Sequence, residues 1–168
     1  IRAWASHLRP FRSGPAHLPR RLVSVGDRVY VTLGFGAPVS VLDAATGERI
    51  RTYNETENCS EIVYDDGMLY LVTGVPEETG EPPAAGPYHW TPALRRKRLL
   101  ALSADTGHVV WRANAGDTSQ LMPLTVTVGD GHLFFHNTSA LICLDATTGS
   151  EQWRVPRAVA MSRPAWSS

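Results

Sequence analysis

The chain has 168 residues, 43% hydrophobic and 19% charged, which is enough for one domain with a real core. Sixteen basic residues balance sixteen acidic ones, which argues against nucleic acid or an anionic membrane surface as the main partner. There is no apolar run of about 18 residues to span a membrane.

Residues 1–17, IRAWASHLRPFRSGPAH, read as a connection or as the end of a preceding unit. From there the chain repeats itself. RRLVSV at 20–25, GDRVYVT at 26–32 and VLDAATGERI at 41–50 form a first series of short β-rich pieces. EIVY at 61–64, DGMLYLVT at 66–73 and ALSADTGHVV at 101–110 form a second. PLTVTV at 123–128, GDGHLFFH at 129–136 and CLDATTGSEQ at 143–152 form a third. The pieces are rich in Val, Leu, Tyr and Phe. Val29, Val31 and Leu33 alternate with Tyr30 and Thr32, the period-two pattern of a strand. Gly-Asp or Asp-Gly pairs bound them and favour tight hairpins, because those residues tolerate positive φ. Each unit therefore reads as strand, turn, strand, loop, strand, turn, strand.

The Thr-Gly pairs Thr46-Gly47, Thr106-Gly107 and Thr148-Gly149 mark the last turn of each unit. Asp43 and Asp145 sit three residues before their Thr, where a carboxylate accepts hydrogen bonds from turn N–H groups. Ser103 replaces Asp in the middle copy and is a weaker acceptor. Their recurrence at one turn position favours a structural role over a catalytic or metal-binding one. Gly107 and Gly149 are 42 residues apart; Gly47 and Gly107 are 60 apart, one unit plus an insertion. Four short antiparallel strands per repeat of about 40–50 residues is the pattern of a β-propeller. The fold class is thus all-β, an arc of four-stranded antiparallel blades. We assign blades to 18–58, 59–120 (with the insertion at 75–98) and 121–157, and the start of a further blade to 158–168. Three blades cannot close a ring, and open ends expose sheet edges and apolar faces. Ile1 in place of Met, and the abrupt end RPAWSS, lead us to expect a segment of a longer chain.

ALSADTGHVVW at 101–111 and CLDATTGSEQW at 143–153 resemble the tryptophan-docking repeat, A-x-D-x-x-T-G-x-x-x-W, of pyrroloquinoline-quinone (PQQ) type propellers. VLDAATGERIR at 41–51 keeps Asp, Thr and Gly but has Arg51 where the motif has Trp. The resemblance spans roughly residues 18–157. It implies a fold like that of quinoprotein alcohol dehydrogenases and of outer-membrane assembly lipoproteins, with seven or eight blades in all. It also implies that Trp111 and Trp153 dock on the neighbouring blade, and it puts the docking of the first blade in question. An extracytoplasmic, periplasmic setting follows from the resemblance alone.

The insertion at 75–98 is the most individual stretch. Tyr88, His89 and Trp90 stand in a row, followed by Arg95 and Arg96 in a basic run. On a propeller face such a loop suits an anionic ligand or a protein partner; equally, Trp90 covers its own blade and the basic run is a solvated strand entry. LGFGAPV at 33–39 belongs to the same face. His132 and His136 share a strand face but have no evident third metal ligand. NET at 54–56, NCS at 58–60 and NTS at 137–139 are short glycosylation patterns of the kind that arise by chance. Cys59 and Cys143 are no disulfide framework, although whether they pair is left open; Cys143 reads as a small buried hydrophobe.

Two functions follow. The preferred one is a non-catalytic binding or scaffold segment, with no cofactor or metal of its own. Its partners are the remaining blades and a protein, a glycan or an adjoining domain. The alternative is part of a PQQ- and calcium-dependent dehydrogenase acting on an alcohol or sugar. In that family a pair of adjacent cysteines lies against the quinone, and this segment has no such pair.

Overall fold

The structure is a computed structural model that describes residues 20–34, 36–75, 96–122 and 124–158. These form three four-stranded sheets, each antiparallel and each in simple sequential order. The first holds β1 (Leu22–Val25), β2 (Arg28–Thr32), β3 (Val39–Asp43) and β4 (Arg49–Thr52). The second holds β5 (Cys59–Asp65), β6 (Met68–Val75), β7 (Arg96–Ser103) and β8 (Val109–Arg112). The third holds β9 (Thr127–Gly129), β10 (His132–His136), β11 (Ala140–Asp145) and β12 (Glu151–Pro156). A single helical turn, α1 (Ala115–Thr118), lies between the second and third sheets. It was not expected from the sequence; the Asn114 side chain caps it by accepting from the Gly116 N–H at 2.7 Å.

The hairpins form where the dipeptides place them. Asp66-Gly67 and Asp130-Gly131 carry positive φ at both central residues, the requirement of a type I′ turn. At 26–27 only Gly26 is positive, the type II′ arrangement. The outer hairpins share a second device. In each sheet the pairing of the third and fourth strands slips in register at one place, between Val41 and Leu42, Ala101 and Leu102, and Cys143 and Leu144. The residues left unpaired are Ile50, Val110 and Gln152, so each outer strand carries one bulge.

The core lies between sheets. One cluster packs Tyr30, Val41 and Tyr53 of the first blade against Ile62, Leu69 and Leu102 of the second. The other packs Tyr70, Leu99 and Trp111 of the second against Leu133, Phe135 and Ile142 of the third. The middle blade is therefore buried on both faces: Leu69, Tyr70, Leu71 and Val72 all lie inside although they alternate. The outer strands β4 and β12 are exposed along their length.

The insertion is shorter than the sequence suggested. β7 begins at Arg96, where Arg96, Lys97 and Arg98 pair with Val75, Gly74 and Thr73, so the end of the basic run is strand. Tyr88, His89, Trp90 and Arg95, the segment 1–17 and residues 159–168 lie outside the described residues.

Candidate functional site

The most developed constellation joins one blade to the next. At the second junction the Trp111 indole lies flat against the turn of the third blade. Its Nε1–H donates to the Ala146 carbonyl at 2.8 Å. A Cβ added at Gly149 would fall 2.6 Å from the ring, closer than any real contact. Gly149 has φ +73°, so glycine is demanded there twice, by conformation and by space. Tyr70 joins the junction, its hydroxyl donating to the same carbonyl at 3.2 Å and its ring centroid 6.0 Å from that of Trp111.

The first junction has Arg51 at the Trp position and is closed by a different ring. Tyr53, two residues farther along the chain, sits over Gly107, and a Cβ there would overlap the ring. Its hydroxyl donates to the Ala104 carbonyl, the counterpart of Ala146. Tyr30 reaches that carbonyl at 3.5 Å, as Tyr70 reaches its own. Burial, with Tyr30 alongside, pushes the Tyr53 hydroxyl up to about 12, so it stays a donor. Arg51 is not idle: its Nη1 donates to the Asp105 carbonyl at 2.5 Å. Sequence reading fixed on the aligned position and missed Tyr53. The available signal was the two-residue step, which keeps a side chain on one face of an extended chain.

Asp43 and Asp145 turn inward on their own loops. Asp43 Oδ1 accepts from the Ala45 N–H (3.0 Å), the Thr46 N–H (2.8 Å) and the Thr46 hydroxyl (3.0 Å). Asp145 Oδ1 repeats this with Thr147 and Thr148 at 3.0, 2.8 and 2.9 Å. The Thr46 and Thr148 amides, first among these donors, hold both carboxyls below their ordinary value. Ser103 Oγ accepts one bond, from the Thr106 N–H at 3.3 Å. Gly47, Gly107 and Gly149 all take positive φ to end these turns.

Two hydrogen bonds tie Gly36 and Val39 to the connection 53–58. The Asn58 N–H donates to the Gly36 carbonyl, and the Val39 N–H to the Thr56 hydroxyl. Arg112 bridges to Glu55 at 2.6 Å across the first junction. Of the candidate partner residues, only Arg96 is among those described, at the first position of β7.

Toward the inner strands, Glu61 is buried; the Leu124 and Val126 amides approach its carboxylate without reaching full hydrogen-bond geometry. Burial raises its pKa; Arg20, the Leu124 and Val126 amides and Lys97 oppose the rise. Lys97 is lowered by burial and donates to the Leu121 carbonyl at 2.6 Å. A groove of about 270 Å³ beside the second junction is bordered by Asp117, Glu151 and Arg154, and both acids bind Arg154. His132 and His136 make backbone contacts: His132 Nδ1 lies 2.8 Å from the Asp130 carbonyl, and the His136 N–H donates to Thr125. Among the described residues no group of three His, Cys, Asp or Glu is placed to hold a metal ion. Cys59 and Cys143 are both buried free thiols, and burial pushes Cys59 up to about 12.

Residues 95–165 match the PQQ-type family described as outer membrane protein assembly factor BamB. No curated protein matches the sequence. Two solved structures share the fold. A computationally designed protein, Ika4, superposes with a TM-score of 0.55 at 13% identity, over 84% of this chain and 74% of that one. BamB from Moraxella catarrhalis superposes with a TM-score of 0.51 at 19% identity, over 79% of this chain. The match spans only 35% of the BamB chain. Residues 95–165 thus match the PQQ-like repeat family, and the three four-stranded antiparallel sheets share the fold of the BamB propeller over part of its length.

Proposed function

We propose that this chain is a non-catalytic binding or scaffold segment of a PQQ-like propeller, offering its loop face to a protein, a glycan or an adjoining domain. One observation carries the reading: the acids that recur with the repeat are spent on architecture. Asp43 and Asp145 each commit Oδ1 to three donors of their own turn. The rings and glycines of the same motif are spent on the blade junctions. What varies from blade to blade in sequence is the stretch between the second and third strands, above all residues 76–95, which hold Tyr88, His89, Trp90 and Arg95 and lead into Arg96 at the start of β7. Aromatic and arginine side chains together suit a protein surface. The matched family is named for a role in outer membrane protein assembly, and we place this chain in the same kind of extracytoplasmic assembly role. Its first partners are the other blades of a seven- or eight-bladed ring.

The residues present do not fit the alternative, a PQQ- and calcium-dependent dehydrogenase. The two cysteines are 84 residues apart, buried in different blades, rather than adjacent. The buried inner carboxylate, Glu61, is matched with Arg20 and Lys97, a basic setting for a calcium ligand. Calorimetric titration with PQQ and calcium, followed by a dye-linked alcohol oxidation assay, tests this directly. We expect no saturable binding and no turnover; saturable binding together with turnover would overturn the scaffold reading. A photoreactive residue at Trp90 should give adducts with a partner that excess unlabelled chain competes away, and one at Ile50 should not.

A further inference from the structure

Trp111 joins the second and third blades from the outer strand. Toward the inner strands the same two blades meet through charge. Glu61 on β5 and Lys97 on β7, the first and third strands of the middle sheet, both face the segment that leads into the third blade. Each takes the opposite pole of that segment. The Lys97 ammonium donates to the Leu121 carbonyl at 2.6 Å. The Leu124 and Val126 amides approach the Glu61 carboxylate, which is buried. The segment is bent where they hold it: Leu124 has φ +58°, a left-handed conformation disfavoured for any residue with a Cβ. Leu121 and Val126 are each 2% exposed and sit in the core, while Leu124 between them is 41% exposed. The third blade makes its own bond to the segment, from the Met122 N–H to the His136 carbonyl at 2.8 Å. Among the described residues, its polar ties to the middle blade are the two charges.

We infer that Glu61 and Lys97 form a two-point latch between the middle blade and the lead-in of the third, and that opening it frees the turn at Leu124 while the sheets stay formed. Lys97 fixes the entry to the turn through a carbonyl, and Glu61 fixes its exit through two amides. The charges also support each other. Burial raises the Glu61 carboxyl and lowers the Lys97 ammonium; Lys97, after Arg20 and the two amides, opposes the first shift, and Glu61 opposes the second. Removing either charge leaves the other buried with less compensation, so the two points open together. The left-handed turn relaxes as they do, which favours the open state. The sheet itself is held without them: β5 with β6, and β6 with β7, are paired through the backbone along their length. The inference rests on the junction of the second and third blades and not on the partner reading of residues 76–95, so it stands or falls separately.

The test is backbone dynamics by nuclear magnetic resonance, with the Leu124 and Val126 amides as reporters. Glu61→Gln keeps the shape and removes the charge; Lys97→Met keeps the aliphatic stem and removes the donor. We expect the heteronuclear Overhauser effect at both reporters to fall in each variant, with the amides of β6 and β10 unchanged. Chymotrypsin should cut after Leu124 about tenfold faster than in the parent, because cleavage follows the population of the open form. The double variant should be no more mobile than the looser single one, and Lys97→Arg, which keeps charge and donor, should behave as the parent. Reporters unmoved in both variants, mobility spread equally through β6 and β10, loss of the folded state, or loosening by one substitution without the other would overturn the inference.

Discussion

Trp111 and Trp153 stand at the same place in neighbouring blades, with the same Thr-Gly turn four residues ahead of each. One is buried in a junction and the other lies open on an outer strand. Their motifs are equivalent; what differs is that the described residues include the blade beyond Trp111 and none beyond Trp153. The docking motif is thus half of an interaction, and its energy depends on the glycine turn of the next repeat. Alanine substitution should separate the two. Trp111→Ala removes a ring packed on Gly149 and bonded to Ala146, and should cost about 3–5 kcal/mol. Trp153→Ala loses chiefly its contact with Phe134 and should cost on the order of 1 kcal/mol. Urea unfolding at low protein concentration measures both as monomers. Equal losses would mean that the ring at 153 is already covered.

The glycines sharpen the same comparison from the receiving side. Gly47, Gly107 and Gly149 all have φ near +75°, so alanine at any of them pays a left-handed strain of about 1–2 kcal/mol. At Gly47 that is the whole effect, since the space is open. At Gly149 the methyl group also strikes Trp111, and displacing a packed ring adds about 1–3 kcal/mol. Thermal melts of Gly47→Ala and Gly149→Ala should therefore differ clearly, with Gly149→Ala the lower. Coincident melts would show that the indole slides away at no cost.

Much of this was readable from the chain. Strand order, hairpin dipeptides and the Thr-Gly turns are local, and local backbone preference combined with repetition at 42 residues is enough to give blades. The junctions are not local. Arg51 aligned with Trp111 suggested an unmade contact, yet Tyr53 makes it, because a side chain two positions on leaves a strand on the same face. The bulges opposite Leu42, Leu102 and Leu144 have no composition of their own: the unpaired residues are Ile50, Val110 and Gln152. Nothing in the EIVY segment marks Glu61 for burial; strands β1, β2 and β9, distant in sequence or from other blades, and Arg20 come up against β5 in the fold. Tyr53→Phe is the direct check on the substitute junction. It keeps the ring over Gly107 and removes one hydrogen bond to Ala104, so chemical unfolding should show a loss of about 1 kcal/mol. No loss would mean that packing alone closes the first junction.

The smallest effect lies in the turns, where the middle blade differs from its neighbours. Asp43 and Asp145 each take three donors, while Ser103 takes one at 3.3 Å. Ser103→Asp should therefore raise the melting temperature slightly at neutral pH, and Asp145→Ser should lower it slightly. The pH dependence gives the cause. Because the turn amides depress the folded carboxyl below its unfolded value, the charged form stabilises the fold at every pH above the unfolded value of about 4. That contribution falls away as pH drops through the depressed folded value. The gap between the parent chain and Asp145→Ser should thus be constant from neutrality down to about pH 4 and shrink below it. A gap that persists unchanged in acid would mean that the aspartate acts in the turn by shape, not by charge.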